Sequence, residues 1–250
     1  GWDVATPLVV LNPVDAAQRG ATILPRTRFV AARSEQGRWR AICIDQRSGR
    51  SLELLAPCIV NAAGPWVADM LRTVPGIRSD TKIRLVKGSH IVVPRVYEGE
   101  HAFLLQHPDE RIVFAIPYEH AFTLIGTTDV AYRGDPAAVA ITEAETRYLC
   151  ETASEYFRRP IVPADVQWTY AGVRPLLDDA HVDVSKLTRD YRLELATTSD
   201  GAPLLSVFGG KITTYRRLAQ LAVDKLLPLF GGPRSAWTDA AALPGGDLPG

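Results

Sequence analysis

Residues 203–217, PLLSVFGGKITTYRR, constrain this chain more than any other stretch. Residues 204–208 form an apolar run the length of one buried strand. Gly209 and Gly210 follow at once. From Ile212 the sequence reads as a helix, with Leu218, Ala219, Ala222, Leu226 and Leu227 at helical spacing and Pro228, Gly231 and Gly232 at its end. A strand, a two-glycine turn and a helix start place bare backbone beside unpaired N–H groups. Such a corner suits an anion, or a group that becomes anionic in a reaction. A tight strand-to-helix connection would explain the glycines alone. It would not explain Lys211, which packing does not require there.

A second corner has the same plan. The apolar run 58–60 enters Asn61-Ala62-Ala63-Gly64-Pro65-Trp66, with Pro65 suited to a first helical position. Small residues at one such turn serve packing as readily as a ligand, but two such corners in one chain point to a doubly wound layer. There, ligands sit at the carboxyl ends of strands beside helix starts. Around these corners the pattern predicts a helix over 8–17 ending at Gly20, strands over 22–24 and 28–32, and a hairpin of 39–44 with 52–55 about the turn 47–49.

The middle of the chain changes character. Residues 83–93, 102–106, 112–116, 122–128 and 166–175 are strand-like, and short turns such as 118–120 argue antiparallel pairing. Thr142 and Glu145 form a capping box for a helix to about residue 157, and 188–195 reads as a further strand. The expected fold is α/β with an α+β insert: part of a doubly wound layer (1–78 and 197–242), an inserted antiparallel sheet with one helix (79–196), and a linker (243–250).

Side chains alternate across a strand, so Trp168, Tyr170 and Arg174 share a face, with Gly172 leaving room between them. Arg84 and His90 share a face of another strand, and Arg189 opens a third. Each has a plain alternative: a surface arginine, a structural histidine, and for Asp129 a turn-former. These residues alone indicate a ligand-binding corner and a cationic pocket without naming a reaction.

The composition excludes several classes. Lys plus Arg and Asp plus Glu number 28 each, so no net field favours nucleic acid. Three scattered cysteines without a CxxC fit reduced, buried thiols, and the five histidines lack metal-ligand spacing. No apolar run is long enough to span a bilayer as a helix. Gly1 in place of an initiator methionine, with a linker-like tail, leads us to expect a piece of a longer protein.

The runs IRLVKGSHIVVPR (83–95), IGTTD (125–129), WTYAGVRPL (168–176), TRDY (188–191) and PLLSVFGGKITTYR (203–216), together with VNAAGPWV (60–67), stand in order. Together they closely resemble the FAD-dependent, quinone-linked glycerol-3-phosphate dehydrogenases over nearly the whole chain. The resemblance implies oxidation of sn-glycerol 3-phosphate to dihydroxyacetone phosphate. Hydride would go to FAD and electrons to a quinone, on a cytoplasmic protein bound peripherally to the cytoplasmic membrane. It implies that His90, Arg174 and Lys211 are catalytic and that Arg189 and Thr127 bind substrate. It assigns Val30, Ala62, Ala63, Gly64, Trp66, Gly209, Gly210, Ile212 and Thr213 to the cofactor, and no metal. A homodimer is left open. The family's N-terminal glycine-rich dinucleotide fingerprint is missing here, so the chain alone is expected to hold FAD weakly and to be inactive. The alternatives are a flavin oxidase of the same fold acting on amino or hydroxy acids, and an inert anion-binding fragment.

Overall fold

In the computed structural model, residues 5–109, 111–178, 190–232 and 236–246 are described. The chain begins with α1 (Ala5–Gln18), β1 (Thr27–Glu35), β2 (Arg38–Asp45), β3 (Ser51–Ala56), β4 (Ile59–Asn61) and α2 (Val67–Arg72). Next come β5 (Ile83–Pro94), β6 (Phe103–Gln106), β7 (Ile112–Tyr118), β8 (Phe122–Gly126), β9 (Val130–Ala131), α3 (Glu143–Ser154) and β10 (Trp168–Leu177). It returns through β11 (Tyr191–Thr197), β12 (Pro203–Gly209) and α4 (Tyr215–Phe230). Two compact units result, divided near residues 83 and 189.

The discontinuous unit holds two small sheets. In one, β1, β2 and β3 run antiparallel in sequence order. Their second turn is set by Asp45, whose carboxylate accepts the N–H groups of Arg47 and Ser48 at 2.7 and 3.1 Å, with Gly49 at φ 70°. The other sheet has the order β11-β12-β4, with β11 antiparallel and β4 parallel to β12. The central strand is buried from Pro203 through Phe208, the continuous apolar burial expected of a strand covered on both faces. Trp39, fully buried on β2, donates its indole N–H to the Pro203 carbonyl at 2.6 Å, and packs with Ala32, Val74, Ile77 and Leu204.

Several local expectations change here. Residues 22–24 form no strand, and Ile23 and Leu24 are exposed: two apolar residues without a neighbouring strand stay a loop. The strand after 188 pairs with β12, and Ser79 and Thr81 both donate to the Glu194 carboxylate. The middle unit is therefore 84–188 rather than 79–196. The last helix continues through Pro228 and stops at Gly231, which is left-handed at φ 67° and returns its N–H to the Leu227 carbonyl at 3.0 Å.

The middle unit is a six-stranded sheet of order β10-β5-β8-β7-β6, with β9 also on β5. The turn from β7 to β8 has Glu119 and His120 both left-handed, at φ 44° and 60°. One face carries α3, whose Leu149, Cys150 and Ala153 bury against Ile91, Val93, Leu105, Val113, Ala115 and Ile125. The capping box forms as expected, with Thr142 accepting the Glu145 N–H, but the helix ends at Ser154 rather than near 157.

Candidate active site

Alternation along β5 sends Lys87, Ser89 and Ile91 toward α3, and Gly88 and His90 to the opposite face. On that face His90 lies opposite Gly126 of β8, and its ring stacks on Tyr170 with centroids 4.6 Å apart and planes 15° apart. A Cβ on Gly126 would overlap the imidazole, so a glycine is required where the ring crosses β8. The Nδ1 atom of His90 is buried and has no hydrogen-bond partner among the described residues. Burial, and then the charge of Arg174, lower the His90 pKa to about 4, so the ring is neutral near pH 7.

Arg174 on β10 is held by the 127–129 segment. Nη1 donates to the Asp129 carboxylate at 2.9 Å and also to the Thr128 carbonyl at 3.4 Å, and Nη2 donates to the Thr127 hydroxyl at 3.0 Å. A Cβ on Gly88 would overlap its guanidinium and stand 2.6 Å from the Thr127 oxygen. Gly172, read from sequence as the residue leaving room, would meet nothing within 4 Å if it carried a Cβ. The space is made by Gly88 and Gly126, and a glycine inside each of two strand patterns was the signal. Asp129, read as a turn-former, is the ion-pair partner of Arg174. Arg84, on the same strand as His90, is paired with Asp178 at 2.7 Å.

The second candidate region belongs to the discontinuous unit. Because β4 runs parallel to β12, with Asn61 beside Ser206, the turns that follow both strands lie at the same end of their sheet. After β4, Asn61 is buried and its side chain spans the turn: the amide donates to the Val67 carbonyl at 3.0 Å, and its oxygen accepts the Ala63 N–H at 3.3 Å. Gly64 at φ 54° and Pro65 open a 3-10 turn that leads into α2, leaving Ala62 and Trp66 exposed. After β12, Gly209 and Gly210 are at φ 73° and 100°, and Ile212 to Thr214 form a 3-10 turn ahead of α4. Neither 3-10 turn has a side-chain cap on its first N–H groups. Lys211, Ile212 and Thr213 are exposed. Two small-residue turns with uncapped backbone donors at one sheet end fit an extended, acceptor-rich cofactor such as a flavin. Val30 stands in the other sheet, as the extra residue of a bulge in β1 between Phe29 and Ala31.

The structure thus brings His90, Thr127 and Arg174 together in the middle unit. It brings the turns holding Ala62, Ala63, Gly64, Trp66, Gly209, Gly210, Ile212 and Thr213 to one sheet end in the other, where Lys211 also stands. Arg189 lies outside the described residues. Among the described residues there is no group of histidine, cysteine, aspartate and glutamate able to hold a metal ion, and no helix long and apolar enough to cross a membrane.

A strand-end cofactor corner and a separate antiparallel sheet bearing a neutral histidine beside an arginine define a flavin-type oxidoreductase. Comparison with known proteins agrees: the model of the FAD dependent oxidoreductase (DAO) family matches residues 8–216, and the chain belongs to that family. It is 50% identical over 240 residues to the glycerol-3-phosphate dehydrogenase of Pseudomonas aeruginosa, covering 96% of this chain and 47% of that one. It is 46% identical over 247 residues to the D-erythritol 1-phosphate dehydrogenase of Brucella abortus, covering 99% and 49%. The crystal structure of the Bacillus halodurans glycerol-3-phosphate dehydrogenase complexed with FAD superposes with a TM-score of 0.78 at 29% identity, over 93% of this chain and 44% of that one. The chain spans about half the length of the curated relatives it matches.

Proposed function

We propose that this chain is the substrate-side portion of an FAD-dependent dehydrogenase that oxidises sn-glycerol 3-phosphate at C2 to dihydroxyacetone phosphate. Electrons would leave to a quinone at the cytoplasmic membrane. The observation that carries the proposal is the pairing, on one sheet face, of an anchored Arg174 with a neutral His90 whose buried Nδ1 has no partner among the described residues. Oxidising a secondary alcohol removes a hydride from carbon and a proton from oxygen. FAD, when bound, supplies the hydride acceptor. The chain's own task is to hold the phosphate ester and take the proton.

Arg174 supplies a cation in fixed orientation for the substrate's anionic oxygens. His90 accepts the C2 hydroxyl proton on its imidazole. The two are coupled: the charge of Arg174 is part of what holds the His90 pKa low, so an anion set against Arg174 raises it. The imidazole therefore becomes a better base once substrate is in place. Thr127 keeps Arg174 in line and adds a hydroxyl to the pocket. We assign Arg189 to the substrate as well. Lys211 and the turns 62–66 and 209–213 are assigned to the flavin, with Val30 a further contact. A polyol phosphate is the class common to the two similar relatives, and the glycerol ester is the member proposed. The test is anaerobic mixing of the full-length, FAD-loaded protein with sn-glycerol 3-phosphate, D-erythritol 1-phosphate, and amino or hydroxy acids. Flavin bleaching fastest with glycerol 3-phosphate is expected. Bleaching only by an amino or hydroxy acid would overturn the assignment.

A further inference from the structure

The face of the middle sheet turned away from His90 holds a buried charged cluster that the proposed chemistry does not use. Lys87, Ser89, Thr128 and Glu145 are between 0% and 6% exposed. One carboxylate, that of Glu145 in the first turn of α3, is the centre. Its Oε2 accepts from Lys87 Nζ at 2.6 Å, and from the backbone N–H and hydroxyl of Thr142 at 2.9 and 2.8 Å. Its Oε1 accepts from the hydroxyls of Ser89 and Thr128, both at 2.9 Å. Lys87 also donates to the Ala140 carbonyl at 3.1 Å. Thr128 closes the network by accepting the Ser89 N–H at 3.0 Å.

The two hydroxyl partners each stand between site residues. Ser89 lies between Gly88, whose bareness admits Arg174, and His90. Thr128 lies between Thr127 and Asp129, whose side chains both accept from the Arg174 guanidinium. A capping box needs only the Thr142 contacts. The Lys87, Ser89 and Thr128 contacts go beyond the cap: they tie β5 and the 127–129 segment that follows β8 to the same carboxylate. Burying an ion pair is no cheaper than burying apolar side chains of similar size, so stability alone does not account for it.

We propose that Glu145 is a positioning residue. Held by Lys87, it sets the spacing between the 87–90 and 127–129 segments, and thereby the geometry of His90 against Arg174. This rests on the site reading given above. It predicts that the arrangement is lost when the network is cut without loss of packing.

The experiment uses the full-length, FAD-loaded protein with Glu145→Gln, Thr128→Val and Leu149→Ala. Thr128→Val keeps the shape and removes only the hydroxyl link, which covers the case in which Glu145→Gln fails to fold. Leu149→Ala opens a cavity in the same core and controls for general weakening. Each is read by melting temperature, by kcat and KM for glycerol 3-phosphate, and by the 15N-histidine NMR titration of His90, assigned with His90→Gln. The expected result for Thr128→Val is a kcat/KM lower by about 10- to 100-fold, the cost of misplacing reacting groups by about an ångström. A shifted His90 titration should accompany it, while Leu149→Ala lowers the melting temperature and leaves both near wild type. A Thr128→Val protein with unchanged kcat/KM and unchanged titration overturns the proposal, as does a Leu149→Ala protein that reproduces both losses. If the wild type does not oxidise glycerol 3-phosphate, the function proposed above fails, and the His90 titration decides this inference by itself.

Discussion

The His90 imidazole stacks on the Tyr170 ring, 4.6 Å between centroids with the planes 15° apart, and burial, followed by the charge of Arg174, sets when the histidine is charged. Its folded pKa is about 4, against 6.5 ordinarily. Between those values an unfolded chain binds a proton that the folded one does not. Stability therefore falls as pH drops from 6.5 toward 4, by at most about 3 kcal/mol at ~1.4 kcal/mol per pH unit. His90→Gln should flatten that part of the profile, measured by urea unfolding across the range. In the wild type, the acid limb of kcat/KM, which reports the free enzyme, should lie near the folded value rather than at 6.5. The substrate phosphate itself titrates at ~6, so the decisive comparison is with His90→Gln: an acid limb that the substitution leaves unchanged would show that the base is another group.

Arg174→Gln should separate two effects. Losing a charged hydrogen bond to the substrate is worth about 1.5–3 kcal/mol, so KM should rise by roughly 10- to 150-fold. The same change removes a cation beside His90, so the His90 pKa should move up from about 4. Kinetics give the first and histidine NMR the second. An unmoved titration would place the guanidinium too far from the ring to matter.

Gly126→Ala and Gly88→Ala should fail in different ways. The first puts a methyl into the His90 ring and the second puts one into the Arg174 guanidinium. Each should cost about 1–3 kcal/mol as overpacking. Gly126→Ala should act mainly on kcat and Gly88→Ala mainly on KM. Steady-state kinetics on the two variants, beside their melting temperatures, check the division. Equal effects on both constants would mean that the two side chains do not have separate tasks.

The two strand-to-helix corners were legible because the local pattern is strong. Leu204–Phe208 is a mainly apolar run, and Gly209-Gly210 and Ala62–Trp66 mark their turns by small residues. The antiparallel middle sheet was legible for the same reason, since alternation and short turns are local signals. What remained hidden depends on partners far apart in the chain. Asp129 looks like any turn aspartate until β10 brings Arg174 beside it. Lys87 looks like a surface lysine in a strand until α3 covers it, 58 residues before the Glu145 it meets. The placement of β11 was lost likewise: its sequence is strand-like wherever it goes, and only pairing with β12 assigns it to the discontinuous unit.

Lys211 gives the last prediction, because its position has no packing explanation. It is exposed, it precedes an uncapped 3-10 turn, and its neighbours Gly209 and Gly210 are left-handed, so side chain and backbone donors stand at one corner. If that corner meets the edge of the flavin that gains negative charge on reduction, the ammonium favours the reduced form. Lys211→Met in the full-length protein should then lower the flavin reduction potential and weaken anionic adducts such as that with sulfite. Substrate KM should change little. A redox titration and a sulfite titration measure the two. A potential that stays or rises, together with a raised KM, would assign Lys211 to the substrate phosphate. The charge would then be needed before the reaction rather than during it.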